Sequence, residues 1–107
     1  MELITAELRA RLPALYSQEH DQDTTVHCKF FTPDSNWTWL VTEGSAEEDD
    51  FLFFGYVIGL EEEWGYFVLS ELKSVRGPLG LAIERDLYFE SGAFNKVIEH
   101  YHRERGH

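Results

Sequence analysis

Glu84, Arg85 and Asp86 follow one another in the stretch "IERDLYF", inside a run that otherwise alternates as a β-strand does. Two carboxylates two residues apart can divide general-acid and general-base work, and a guanidinium between them can grip an anion. Strand geometry works against that use, because successive side chains point to opposite faces. Glu84 and Asp86 then share a face with Ala82 and Tyr88, while Arg85 points with Leu81, Ile83, Leu87 and Phe89. A guanidinium in an apolar row requires a carboxylate or carbonyl partner, or a packed stem that reaches the sheet margin. Glu71 or a loop acid is a candidate partner. Carboxylates at this spacing are common on half-exposed strands, so an ion network fixing strand to loop is the plainer reading, and a ligand pocket the sharper one.

Other residue types that do chemistry are thinly supplied. Cys28 is the only cysteine, and His27, His20 and His100 are its possible bases, without any recognisable nucleophile signature around them. A small buried thiol is the expected role. His27 and Cys28 are adjacent on a strand, and His100 and His102 lie two apart on a helix, so neither pair faces one ligand; no zinc set and no EF-hand pattern is present. "GPLG" lacks the lysine and spacing of a phosphate loop. No metal, no cofactor and no catalysis are expected.

Acids and aromatics are abundant. Eight acids and no base lie between Glu43 and Glu63, gathered into Glu47, Glu48, Asp49 and Asp50 before an apolar run and Glu61, Glu62 and Glu63 after it. At about 3.3 Å per residue the intervening strand separates the two clusters by roughly 30 Å. Carboxylates spread over that length can imitate duplex phosphates toward a basic protein, or simply keep a Phe-rich domain dissolved. Trp37 and Trp39 share one strand face, and Trp64 and Tyr66 share a face of another. Exposed, these rings would stack bases or grip a peptide; buried, they are core.

The elements that must position these groups follow from periodicity. Thr5 caps an amphipathic helix with Leu8, Leu12 and Leu15 on one side, ended by Pro13. Residues 17–24 form a polar connection. Strands are predicted at Val26–Phe31, Trp37–Thr42, Phe51–Ile58, Gly65–Leu69 and Leu81–Phe89, with breaks mostly short enough for antiparallel neighbours. Phe51–Ile58 is apolar on both faces and belongs inside the sheet. Leu69–Leu72 can wind one helical turn. Ser91 is the expected cap of a last helix carrying Phe94, Val97, Ile98 and Tyr101, with residues 103–107 frayed. The expected fold is one α+β domain over residues 1–107: a five-strand antiparallel meander with an N-terminal and a C-terminal helix packed on it.

The chain has 107 residues and a formal net charge of -11, with a sequence pI near 4.7. Such a balance repels polyphosphate and favours cationic partners, so direct nucleic-acid binding starts with a handicap. A lone cysteine fits a reducing cytoplasm, and the uncharged apolar stretch Phe51–Leu60 is about half a membrane span.

The strings "CKFFTPDSNWTWLVTEG", "FLFFGYVIGLEEEWGYFVLSEL" and "GLAIERDLYF" resemble a bacterial domain-of-unknown-function family, DUF2958. The resemblance extends from "LRARLPALY" to "ERDLYF" and implies small cargo proteins of plasmids, integrative elements and phages, sometimes joined to antirestriction or DNA-processing domains. It carries no catalytic residue over to this chain. The expected function is a non-catalytic acidic interaction module of mobile elements, docking on the basic surface of a nucleic-acid enzyme or defence complex through its acid clusters. A single-strand nucleic-acid binder using Trp37, Trp39, Trp64 and Tyr66 is the first alternative, and a small enzyme built on Glu84, Arg85 and Asp86 the second.

Overall fold

The computed structural model describes residues 1–18 and 23–105. Helix α1 (Ala6–Arg11) is capped by the Thr5 hydroxyl, which accepts the Leu8 N–H at 3.1 Å, and it stops at Leu12 as Pro13 requires. The run predicted from Val26 to Phe31 divides at His27 into β1 (Thr25–Val26) and β2 (Cys28–Phe31). Strand β3 (Thr38–Glu47) continues well past Thr42, turns tightly at Glu48 and Asp49, and returns as β4 (Asp50–Ile58). The segment "EGSAEEDD", expected to be a loop, is therefore mostly strand. Glu47, Glu48, Asp49 and Asp50 sit at the tip of a hairpin whose backbone ladder needs no apolar side chains, and Glu48 takes φ 53° to close the turn.

Strand β5 (Glu62–Val68) begins inside the second acid run and leads into α2 (Leu69–Ser74), the expected turn grown to a short helix. Of the strand expected over Leu81–Phe89, only β6 (Glu84–Arg85) is paired along β2. Asp86 ends it, its side chain accepting the Tyr88 N–H at 3.0 Å and its carbonyl the Phe89 N–H at 3.3 Å. Strand β7 (Gly92–Ala93) pairs with β1, so α3 (Phe94–Glu104) cannot start at Ser91. Ala93 occupies the cap position, and Asp23 supplies the missing acceptor to the Asn95 N–H at 3.0 Å. Arg103 and Glu104, expected to fray, belong to α3; residues 106 and 107 lie outside the described residues.

The main sheet is antiparallel, in the order β5-β4-β3-β2-β6. Strands β2 to β5 form the expected meander and the α+β class holds. Strand β6 instead returns to the far edge beside β2. Asp34, in the β2–β3 turn, accepts the Leu79 and Leu81 N–H groups at 2.8 and 3.3 Å, tying the approaching loop to that edge.

Helices cover both faces. Leu8 and Leu12 from the first helical segment, with Leu69 and Leu72 of α2, pack on Phe30, Val41, Phe51, Phe53 and Phe67. Phe94, Val97, Ile98 and Tyr101 of α3 cover Val26, Leu40, Tyr56 and Ile58 on the opposite face. The doubly apolar pattern of β4 is thus satisfied from both sides. No helix among the described residues is long and apolar enough to cross a membrane.

Candidate functional site

Alternation along β3 breaks once. The register with β4 shifts between Val41 and Glu43, a bulge in which Thr42 is the extra residue, its hydroxyl donating to the Phe54 carbonyl at 3.1 Å. Close backbone approach there demands glycine opposite: a Cβ on Gly55 would collide with the Leu40 carbonyl oxygen. The bulge turns Glu43 toward the α3 face, with only 5% of it exposed.

The buried carboxylate is paired by backbone. Glu43 Oε1 accepts the Tyr16 N–H at 2.9 Å and Oε2 the Gln18 N–H at 2.7 Å, while the Gln18 amide donates to the Thr42 carbonyl at 2.8 Å. Gly44 and Ser45 bind the same segment through the Pro13 carbonyl and the Leu15 N–H. Tyr16 is thereby held at φ 70°, a left-handed conformation that costs a non-glycine residue about 1–2 kcal/mol. Its ring lies 6.3 Å from that of Tyr66.

Pairing of β4 with β5 aligns Phe54 with Tyr66 and Tyr56 with Trp64, which sets their rings in a row. Ring centroids are 4.9 Å apart for Phe54 and Tyr66, 5.7 Å for Phe54 and Trp64, and 4.7 Å for Trp64 and Phe94 of α3. Together with Tyr16 these rings wall a recess of ≈ 380 Å³ with Glu43 and Asp23 among its lining. Trp64 and Tyr66 remain 41% and 52% exposed.

The other sequence-derived candidates are dispersed. Trp39 is buried at 7% and belongs to the core; Trp37 stacks on it at 6.1 Å, stands over Gly59 and is 38% exposed, so of this pair only Trp37 is open to solvent. Arg85 donates to the Glu2 and Leu3 carbonyls at 2.9 and 2.8 Å, not to Glu71, and so fastens the N-terminal segment. Asp86 lies 3.6 Å from Lys29. Arg85 and Asp86 line one hollow of ≈ 260 Å³ with His27 and Cys28, whereas Glu84, half-buried opposite Phe31, is not part of it, so the three do not meet at one site.

The acid clusters divide by role. Asp50 accepts the Phe51 and Ser70 N–H groups at 2.8 and 3.1 Å and the Ser70 hydroxyl, and these bonds, the hydroxyl's first, lower its pKa. Glu62 lies 2.9 Å from His102 Nε2 and accepts the Tyr56 hydroxyl at 3.2 Å; burial, then Glu62, raises the Tyr56 pKa. Glu47, Glu48, Asp49, Glu61 and Glu63 are exposed and make no ion pair among the described residues.

Cys28 is buried, and burial pushes its thiol up to about 12. His27 is lowered by burial and by Arg11, and its buried Nε2 has no partner among the described residues. Neutral His27 beside a protonated thiol is not an activated pair. Of the other possible bases, His100 is exposed on α3 and lies 3.0 Å from Glu104, and His20 lies outside the described residues. The native chain is expected to resist iodoacetamide at mildly alkaline pH and to be alkylated only in denaturant, as read by mass spectrometry.

Sequence reasoning found Trp64 and Tyr66 but missed Glu43, Tyr16, Phe54 and Phe94 as their partners. One signal was available: Gly55, a lone glycine inside the predicted strand Phe51–Ile58, marks the close backbone approach at the bulge beside Glu43.

The family described as "Protein of unknown function (DUF2958)" matches residues 3–104, and the chain belongs to it. No curated protein and no solved structure matches it.

Proposed function

We propose that this DUF2958 member is a non-catalytic acidic interaction module that docks on a basic protein surface. The observation that carries the reading is the pair of exposed acid groups that make no ion pair among the described residues, Glu47, Glu48 and Asp49 at one end of β4, with Arg9 and Lys73 nearby, and Glu61 and Glu63 at the other. Separated by roughly 30 Å, they cover the length of about nine base pairs of duplex, a spacing suited to a surface built for phosphates. A net charge of -11 adds long-range steering toward such a surface. The partner class is a nucleic-acid enzyme or defence complex, in the setting of mobile DNA that the family resemblance suggests. Buried, unpaired Cys28 favours a reducing cytoplasm.

The test uses tagged full-length chain recovered from its host, beside a variant with those five residues changed to Ser or Asn and Asp50 and Glu62 retained. A partner that is lost at moderate salt, displaced by heparin and not recovered by the variant supports the reading. Unchanged recovery by the variant overturns it, as does tight, salt-sensitive binding of a labelled single strand.

A further inference from the structure

The aromatic recess is the feature that the acid-cluster reading leaves unused. Tyr16, Tyr66, Phe54, Trp64 and Phe94 present π-faces and edges around a ≈ 380 Å³ hollow, and its two charged lining residues, Glu43 and Asp23, are both acids. No basic side chain lines it among the described residues. Each carboxylate accepts backbone N–H groups, Glu43 from Tyr16 and Gln18 and Asp23 from Asn95, which fixes its orientation without using all of its lone pairs. Aromatic faces with carboxylates beside them are the complement of an organic cation, and an inorganic ion would leave the apolar walls uncovered.

We propose that this recess receives the guanidinium side chain of an arginine presented by the protein partner. The assignment rests on reading the chain as a docking module and names the anchor on the other side. A planar guanidinium stacks on an indole or phenol face while its edge donates to a carboxylate; it is also more weakly hydrated than an ammonium and loses less on entering a half-dry hollow. The volume suits a whole side chain. Tyr16, strained and held by the buried Glu43, is pre-set as one wall, so its ordering is completed before the ligand arrives.

Full-length 15N-labelled chain titrated with N-acetyl-arginine methylamide tests this by two-dimensional NMR. Saturable shifts in the millimolar range are expected at the Trp64 indole N–H and at the Tyr16 and Gln18 N–H groups. The citrulline analogue, equal in shape but uncharged, should bind about tenfold more weakly. Trp64→Leu should weaken the arginine probe by a similar factor, and Tyr66→Leu serves if the first variant fails to fold, the same spectra reporting the fold. Equal affinity for the two analogues, no shifts in the recess, or tighter binding of the lysine analogue or tetramethylammonium each overturns the proposal. The small probe does not depend on the acid clusters, so its failure is distinguishable from theirs.

Discussion

Phe53→Ala is expected to lower the unfolding free energy by about 4 kcal/mol, the middle of the range for an aromatic deleted from a core. Phe53 is 0% exposed, with ring centroids of Phe51, Phe67 and Phe30 at 5.1, 5.5 and 5.6 Å. Those rings stand on β2, β4 and β5, whose backbones are fixed by the ladders of the sheet, so the site cannot collapse onto the space vacated. A fall in Tm of about 20 °C corresponds to this loss for a domain of this length. Urea and thermal unfolding followed by far-ultraviolet circular dichroism check it. A loss below about 1 kcal/mol would mean that the neighbouring rings repack.

Glu43→Ala ranks next, at about 3 kcal/mol, because it removes two charge-assisted hydrogen bonds and leaves two N–H donors in a partly buried place. Without the carboxylate nothing opposes the preference of Tyr16 to leave its left-handed conformation. The damage should be local as well as global: hydrogen exchange at Tyr16 and Gln18 accelerates beyond what the change in overall stability accounts for. Glu43→Gln keeps one acceptor oxygen and is expected to restore about half the loss. Equal stability of the alanine variant and the parent chain would remove Glu43 from its anchoring role.

The contrast between these residues explains how far the sequence could be read. Phe53 was legible, because period-two alternation through Phe51–Ile58 marks both faces of an interior strand. Thr5, Pro13 and the stripe from Phe94 to Tyr101 likewise carry local signals of helix start, stop and facing. Strand β6 did not announce its edge, since pairing with β2 depends on the Asp34 tie to residues distant in the chain. Ser91 looked like a cap, yet β1 captured Gly92 and Ala93 first. The acids looked uniform; only contacts separate Asp50 and Glu62, which hold elements together, from Glu47, Glu48, Asp49, Glu61 and Glu63. Glu43 was hidden because its direction is set by one inserted residue, and a one-residue shift moves a side chain to the other face.

Strand β5 ends the sheet, and beyond it no further strand is paired among the described residues. An outermost strand carrying exposed tryptophan and tyrosine is a template on which a second copy could adhere, the first step toward aggregation. Glu61 and Glu63 confront any such copy with their own like charges, and Coulomb repulsion discourages the match. The same negative groups that would welcome a cationic stranger thereby act as gatekeepers against self-association.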